Sequence, residues 1–154
     1  MEQFERNIEK YAELAVKVGV NIQKGQVLNI NADISSADFV REIAKKAYEA
    51  GAKSVDVDWH DDHLVRLKYE KADESVFNEF PAWKAQAREE LVKNGGAVLS
   101  VISSGPDLLK GVDGKRIAAF QKVSGKAMKK FREAIQSDKI TWSIVAVPSK
   151  DWAA

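Results

Sequence analysis

The two histidines of the chain lie three residues apart in the segment WHDDH, residues 59–63. If Asp61 begins a helix, His60 and His63 lie on one face of it and could bind one metal ion together with Asp61. In the alternative interpretation, a polar strand end runs into a helix that Asp61 or Asp62 caps, and both histidines are exposed. The alternative is the simpler one, because no third ligand follows at a recognisable spacing and the zinc-peptidase pattern of two histidines around a glutamate is missing.

A second polar segment, SSGPD at residues 103–107, follows a predicted strand and leads towards a predicted helix. Such loops are common binding positions for anions and substrates in α/β folds. The segment has neither the lysine of a phosphate loop nor a dinucleotide glycine triad, so a turn is the simpler interpretation, with Pro106 starting a short helix that Gly111 ends. Ser35 and Ser36 are predicted as helix caps, since no histidine is paired with them. These residues by themselves assemble no active site.

Segments with helical and strand periodicity alternate along the chain. The patterns predict helices within 4–18, 35–50, part of 61–73, 81–94 and 117–135, and strands at 27–31, 55–59, 97–102 and 140–147. Strands separated by helices pair in parallel, and right-handed crossovers place helices on both faces of the sheet. We therefore predict a single three-layer α/β domain over residues 1–154, with a mostly parallel sheet of about four strands.

The composition excludes several classes of protein. With 24 basic and 23 acidic residues the net charge is +1, which argues against nucleic-acid binding. The lack of cysteine excludes disulfides and thiolate chemistry. The charged N-terminus does not resemble a signal peptide, and no apolar run approaches the roughly 20 residues of a membrane-spanning helix. A cytoplasmic protein with no membrane association is expected.

The last residues predict a continuation. A strand at 140–147 leads through Pro148 to Asp151, which has the character of a helix cap without a helix body behind it. We therefore expect the chain to be the front part of a longer protein. A domain taken from such a protein should expose an apolar patch that its neighbour normally covers, with Trp152 and Trp142 as candidates.

Several segments, in their order and spacing, resemble the N-terminal domain of the M29 family of metallo-aminopeptidases, the aminopeptidase T and aminopeptidase S group. The similar pieces are YAELAVKVG (11–19), KGQV (24–27), AYEAGA (47–52), WHDD (59–62) with Arg66, GPDLLKGVD (105–113) and VPSKDWA (147–153). Each piece alone is short. Together they extend over nearly the whole chain, so the resemblance is fairly specific.

The resemblance implies a parent enzyme that removes N-terminal amino acids from peptides with two divalent ions, zinc or cobalt. It places the metal ligands and the catalytic carboxylate in a C-terminal catalytic domain that this chain lacks, so no catalytic or metal-binding residue is carried over. It also implies a homodimeric parent. This domain, inactive alone, would then help to enclose the substrate chamber, with Ser103, Ser104 and Asp107 as possible rim residues. The loops at 33–36 and 59–62 are further rim candidates, because they too follow predicted strands.

A different class of function also fits the residues. The chain could be a stand-alone α/β module that binds a small ligand or a protein through the loop at 103–107 or through the edge of its sheet.

Overall fold

Helices and strands alternate along the computed structural model, which describes residues 2–103, 107–137 and 139–147. The α-helices of these ranges are α1 (Glu2–Leu14), α2 (Ala37–Glu49), α3 (Asp62–Lys71), α4 (Ala82–Lys93), α5 (Gly114–Ala127) and α6 (Lys129–Gln136). The strands are β1 (Val27–Asp33), β2 (Ser54–His60), β3 (Ala97–Ile102) and β4 (Thr141–Ala146). A π-helical turn, Ala15–Gly19, extends α1, and 3-10 turns lie at Ile34–Ser36 and Glu74–Asn78. Within the described ranges, no helix combines the length and the apolar character needed to cross a membrane.

The strands form one sheet in the order β2-β1-β3-β4, and all three pairings are parallel. Helices α1 and α2 pack against one face, whereas α4 and α6 contribute side chains to the other. The predicted three-layer α/β fold is therefore confirmed. The chain leaves β1 towards β2 and later crosses to β3 on the opposite side, so its direction of winding reverses between β1 and β3.

The face of the sheet beneath α1 and α2 carries the main hydrophobic core. Alternate residues of β1, namely Leu28, Ile30 and Ala32, are fully buried there, as the two-residue period of a strand requires. They pack against apolar side chains of both helices and of the π-helical turn, including Ala12, Val16 and Ile43. Burying one side chain the size of leucine or isoleucine contributes about 1.5–3 kcal/mol, so this layer supplies much of the stability.

The opposite face of the sheet is polar at its centre. Asn29 and Asn31, which alternate with the buried residues of β1, both accept hydrogen bonds from the guanidinium of Arg88 in α4. The same guanidinium donates to Asp58 Oδ2 of β2 over 2.8 Å and lies 5.7 Å from the ring centre of Phe131 in α6. One side chain thereby connects two strands and two helices.

A smaller aromatic cluster holds α3 and α5 together. Phe77 is fully buried and stacks on Tyr69 of α3, with ring centres 5.2 Å apart. Arg116 of α5 lies over the Phe77 ring at 5.1 Å and donates hydrogen bonds to the carbonyl oxygens of Tyr69 and Ala72. These bonds satisfy carbonyl groups at the end of α3, where the helix itself offers no partners.

Two details of the sequence-based prediction were wrong. The single helix expected over 117–135 is divided into α5 and α6, and Met128 between them departs from helical geometry at φ −96° and ψ 12°. Gly125 is a poor helix former near this break, and its carbonyl oxygen accepts a hydrogen bond from Arg132 in α6.

The predicted caps at Ser35 and Ser36 were the second error. Ser36 occupies the cap position of α2, but its side chain makes no capping hydrogen bond. The carboxylate of Asp33 caps the preceding 3-10 turn instead, by accepting the N–H of Ser35. An ionised carboxylate is the stronger acceptor, and it is placed two residues before the N–H that it binds.

Replacing Arg88 tests the polar face. We expect Arg88→Ala to lower the free energy of unfolding by about 1–3 kcal/mol, because the half-buried amides of Asn29 and Asn31 lose their donor. Arg88→Lys should recover only part of this loss, since one ammonium group cannot reproduce the planar array of donors. Urea denaturation followed by circular dichroism measures both.

The matched control is Arg41→Ala, which removes an arginine whose side chain is 75% exposed and pairs with an exposed aspartate. Its effect should stay within about 0.5 kcal/mol. Equal losses in Arg41→Ala and Arg88→Ala would contradict a bridging role for Arg88.

Candidate functional site

The carboxyl ends of β1, β2 and β3 lie on one side of the sheet, and the direction of winding reverses between β1 and β3. Asp33 ends β1, His60 ends β2 and is its register partner, and Ser103 follows β3. In open α/β sheets the connections after such strands diverge to opposite faces and leave a crevice, where ligands commonly bind. This edge is therefore the first place to examine for function.

Asp33 is the central side chain of this edge. It is only 5% exposed, and both of its carboxylate oxygens accept backbone hydrogen bonds of 2.9 Å, Oδ2 from Ser35 N–H and Oδ1 from Asp62 N–H. Burial raises the pKa of Asp33. The hydrogen bonds from Ser35 and Asp62, together with the nearby His60, lower it by more than burial raises it, so the pKa lies below its ordinary value. Asp33 is thus held ionised while it joins β1 to the start of α3.

Asp33, His60 and Asp62 are spaced so that a cation could lie between them. Each offers one ligand atom within 4.8 Å of the others, and His60 Nε2 is 3.7 Å from Asp62 Oδ1. Carboxylate and imidazole ligands suit zinc and similar divalent ions. The cap hydrogen bonds alone nevertheless account for the position of Asp33, because a buried carboxylate needs such partners whether or not an ion is bound.

The sequence had suggested His60, His63 and Asp61 as the alternative metal ligands. Asp61 Oδ1 accepts the N–H of His63 over 3.0 Å and caps α3, which confirms the capping interpretation. The His63 side chain is exposed, and within the described residues only His60 of these three belongs to a group that could converge on one ion. The neighbours that the structure gives to His60 are Asp33 and Asp62.

The loop after β3 contains the predicted rim residues. Ser103 is buried at 6% exposure, and its hydroxyl lies 3.5 Å from that of Ser35, which connects the ends of β3 and β1. Asp107 is exposed in a turn. Ser104 and the helix start predicted at Pro106 lie outside the described residues.

Arg66 of α3 ties this loop to the rest of the edge. Its guanidinium donates 2.7 Å hydrogen bonds to the carbonyl oxygen of Leu108 and to Glu70 Oε1. The hydrogen bonds of Asp33 and the Ser35–Ser103 contact complete the connection between the ends of β1, β2 and β3. We call the set Asp33, Ser35, His60, Asp62, Arg66 and Ser103 the carboxyl rim.

Asp33 and Arg66 were both in segments named from the sequence, but their hydrogen bonds were not predicted. The signal for Asp33 was an aspartate two residues before a serine N–H, the spacing of an Asx turn, which was overlooked beside the two serines. Arg66 was noted only as part of the resemblance, because its contact with Leu108 spans 42 residues and has no local signature.

The sequence profile of the family described as thermophilic metalloprotease (M29) matches residues 4–154. The chain belongs to this family. The resemblance stated from the sequence is thereby confirmed.

Named relatives agree with this assignment. Aminopeptidase AmpS of Bacillus subtilis (strain 168) is 56% identical over 99% of this chain, which covers 37% of that protein. Aminopeptidase 2 of Geobacillus stearothermophilus is 49% identical over 99% of this chain and 37% of its own length. The solved structure of wild-type AmpT from Thermus thermophilus superimposes with a TM-score of 0.90 at 37% identity, over 97% of this chain and 38% of that one. The chain therefore spans little more than a third of the length of these M29 relatives.

The structural role of Asp33 is testable through pH. Asp33→Asn keeps the shape but replaces one acceptor oxygen by an NH₂ group that meets a backbone N–H, so we expect a loss of about 1–3 kcal/mol at neutral pH. Because the folded-state pKa is lowered, the contribution of Asp33 is complete above the unfolded-state pKa of about 4 and disappears as the pH falls through the folded-state value. The stability difference between the two proteins should therefore shrink below about pH 4.

Urea denaturation between about pH 3 and 7 measures this difference. Asp56→Asn is the matched control, because Asp56 is exposed on β2 and its substitution should change stability by no more than about 0.5 kcal/mol. A stability difference for Asp33→Asn that is constant over the whole pH range would contradict the assignment.

Proposed function

We propose that this chain is the N-terminal domain of a longer, metal-dependent aminopeptidase that releases N-terminal amino acids from peptides. The observation that carries the proposal is the match to AmpS of Bacillus subtilis, 56% identical over nearly the whole chain but over only 37% of the relative. Relatives in other organisms, including aminopeptidase PepS of Streptococcus thermophilus at 37% identity, bear aminopeptidase names as well. Peptides are accordingly the proposed substrates, and the cytoplasm is the proposed location.

We further propose that the metal centre lies outside this chain. In peptide hydrolysis a pair of zinc or cobalt ions would activate water and polarise the scissile carbonyl. The described residues contain a single three-residue grouping that could hold one ion, and its buried member already accepts two backbone hydrogen bonds. A paired centre needs more ligands than this grouping offers, so the residues described here do not fit it. No step of the reaction is assigned to them.

The role proposed for this domain is to form part of the wall and rim of the substrate chamber, next to the C-terminal catalytic domain and within a homodimer. The carboxyl rim supports this role, because its hydrogen bonds connect three strand ends into one preorganised edge at the switch point of the sheet. The proposed positions at the rim of the substrate chamber remain Ser103, which also belongs to the carboxyl rim, and Ser104 and Asp107 of the same loop. A rim restricts which peptides enter and leaves the bond-breaking step to the metal centre.

The first test is the activity of the isolated chain. We expect purified 1–154 to fold but to hydrolyse no aminoacyl-p-nitroanilide or dipeptide, with or without added zinc or cobalt, because it lacks the ligands of a paired centre. Steady-state assays at high protein concentration measure this. Metal-stimulated turnover that copurifies with the chain and disappears in His60→Ala would overturn the proposal and place a site at His60.

The second test concerns peptide entry in the full-length protein. Asp107 is exposed, so Asp107→Phe should add bulk at the rim without unfolding the domain. We expect KM to rise with peptide length while kcat for a small chromogenic substrate stays nearly unchanged, since chemistry and entry are separate steps. Kinetics over a series of peptide lengths, together with thermal melting, measure the effect.

Two variants serve as controls for this test. Asp107→Asn removes only the charge. Asn94→Phe adds the same bulk at an exposed position before β3, at the amino ends of the strands and so away from the carboxyl rim. Neither should make KM depend on peptide length. The same KM change at every length in Asp107→Phe would exclude the rim role for this loop.

A further inference from the structure

Strand β4 forms one edge of the sheet. Within the described residues it pairs with β3 alone, and the pairing continues to Val147, whose N–H donates to the Ile102 carbonyl over 2.9 Å. Alternate amides of a strand point to opposite neighbours, so those of Trp142, Ile144 and Ala146 point away from β3. These outward amides, together with the outward carbonyl groups of Trp142 and Ile144, can pair with a further strand.

The two edges of the sheet differ in chemistry. Strand β2 carries Asp56, Asp58 and His60 among its exposed residues, and charged side chains are a common protection of open edges. Strand β4, with the sequence TWSIVA, has no charged residue. Its Trp142 and Ile144 are 43% and 54% exposed. An uncharged edge with large exposed apolar side chains binds other strands unless something covers it.

A groove lies beside β4 on the polar face of the sheet. It has a volume of about 410 Å³, and its walls include Trp142 and Ile144 of β4, Val98 of β3 and Phe131 of α6. The cation among its lining residues, Arg88, is already paired with Asp58. The groove therefore favours apolar side chains over an acidic group. At the end of β4, the Tyr11 hydroxyl of α1 donates to the outward carbonyl of Ala146 over 3.2 Å, so this one acceptor of the edge is already bound.

We propose that, in the longer protein, a strand from the polypeptide that follows this chain pairs with the free edge of β4 and inserts apolar side chains into the groove. The inference rests on the proposed function, because it requires that longer protein. The relatives supply the argument for this occupant, since more than half of the length of AmpS lies outside the match. A segment of the same polypeptide also reaches the edge at a high effective concentration, which a second copy does not.

The test compares the full-length protein with the 154-residue chain by amide hydrogen exchange. The amides of Trp142, Ile144 and Ala146 should exchange about 100-fold or more slowly in the full-length protein, because the added strand would supply their hydrogen-bond acceptors there. The amides that point to β3 should be protected in both. Equal exchange of the outward amides in the two proteins would overturn the proposal.

Substitution gives an independent readout. Ile144→Lys places a charge in the groove and should lower the Tm of the full-length protein by about 5 °C or more, while leaving the melting of the 154-residue chain nearly unchanged. Leu64→Lys is the matched control, because Leu64 is 63% exposed on α3, away from β4, and should be neutral in both proteins. Self-association of the short chain that Ile144→Lys abolishes, with no effect in the full-length protein, would assign the edge to a second copy instead.

The same preparations separate this inference from the proposed function. Slow exchange of the outward amides in a full-length protein without aminopeptidase activity would uphold the edge pairing and reject the proposed activity. An active enzyme whose outward amides exchange rapidly would uphold the proposed activity and reject the edge pairing.

Discussion

The carboxylate of Asp33 is the interaction on which the carboxyl edge of the domain depends. It is almost completely buried, yet both oxygens accept backbone N–H groups, one from the turn before α2 and one from the start of α3. Burying an ionised group is costly, and these two donors offset that cost while holding the group below its ordinary pKa. Asp33 joins β1 to the start of α3 and thereby holds Asp62 near His60. The three side chains are for this reason close enough together to hold a cation.

The two faces of the sheet constrain the structure in different ways. The apolar face could tolerate many combinations of similar side chains, since packing of this kind depends mainly on volume and pattern. The polar face is more specific, because Arg88 must meet Asn29, Asn31 and Asp58 together. Asn31 and Asp58 are register partners in β1 and β2, so a slip of one residue would remove the acceptors from the guanidinium. We infer that the hydrophobic face stabilises the sheet and the polar face fixes its register.

Sequence patterns predicted correctly those helices and strands that depend on residues close together in the chain. Strand β3 was predicted with its observed limits because an apolar run follows the helix-ending Gly95 and Gly96. The Asp33 cap was missed because the adjacent serines have the same capping propensity, and the structure alone distinguishes among three candidates. The break at Met128 and the contacts of Arg88 depend on packing between elements distant in sequence, for which periodicity gives no signal. The grouping of Asp33 with His60 likewise needs the register of β1 and β2, which no single segment encodes.

The carboxyl rim and the free edge of β4 are separate surfaces with different chemistry. The rim consists of polar and charged side chains that are already hydrogen-bonded, mostly to backbone groups, a composition that suits the chamber wall proposed above. The β4 edge presents tryptophan, isoleucine and amides that pair with no strand of the described residues, a composition suited to permanent contact with another strand. If the rest of the polypeptide attaches along β4, the carboxyl rim stays free to face the proposed substrate chamber. Attachment and access would then depend on different residues, so the rim could vary with substrate while the joint between the domains remained unchanged.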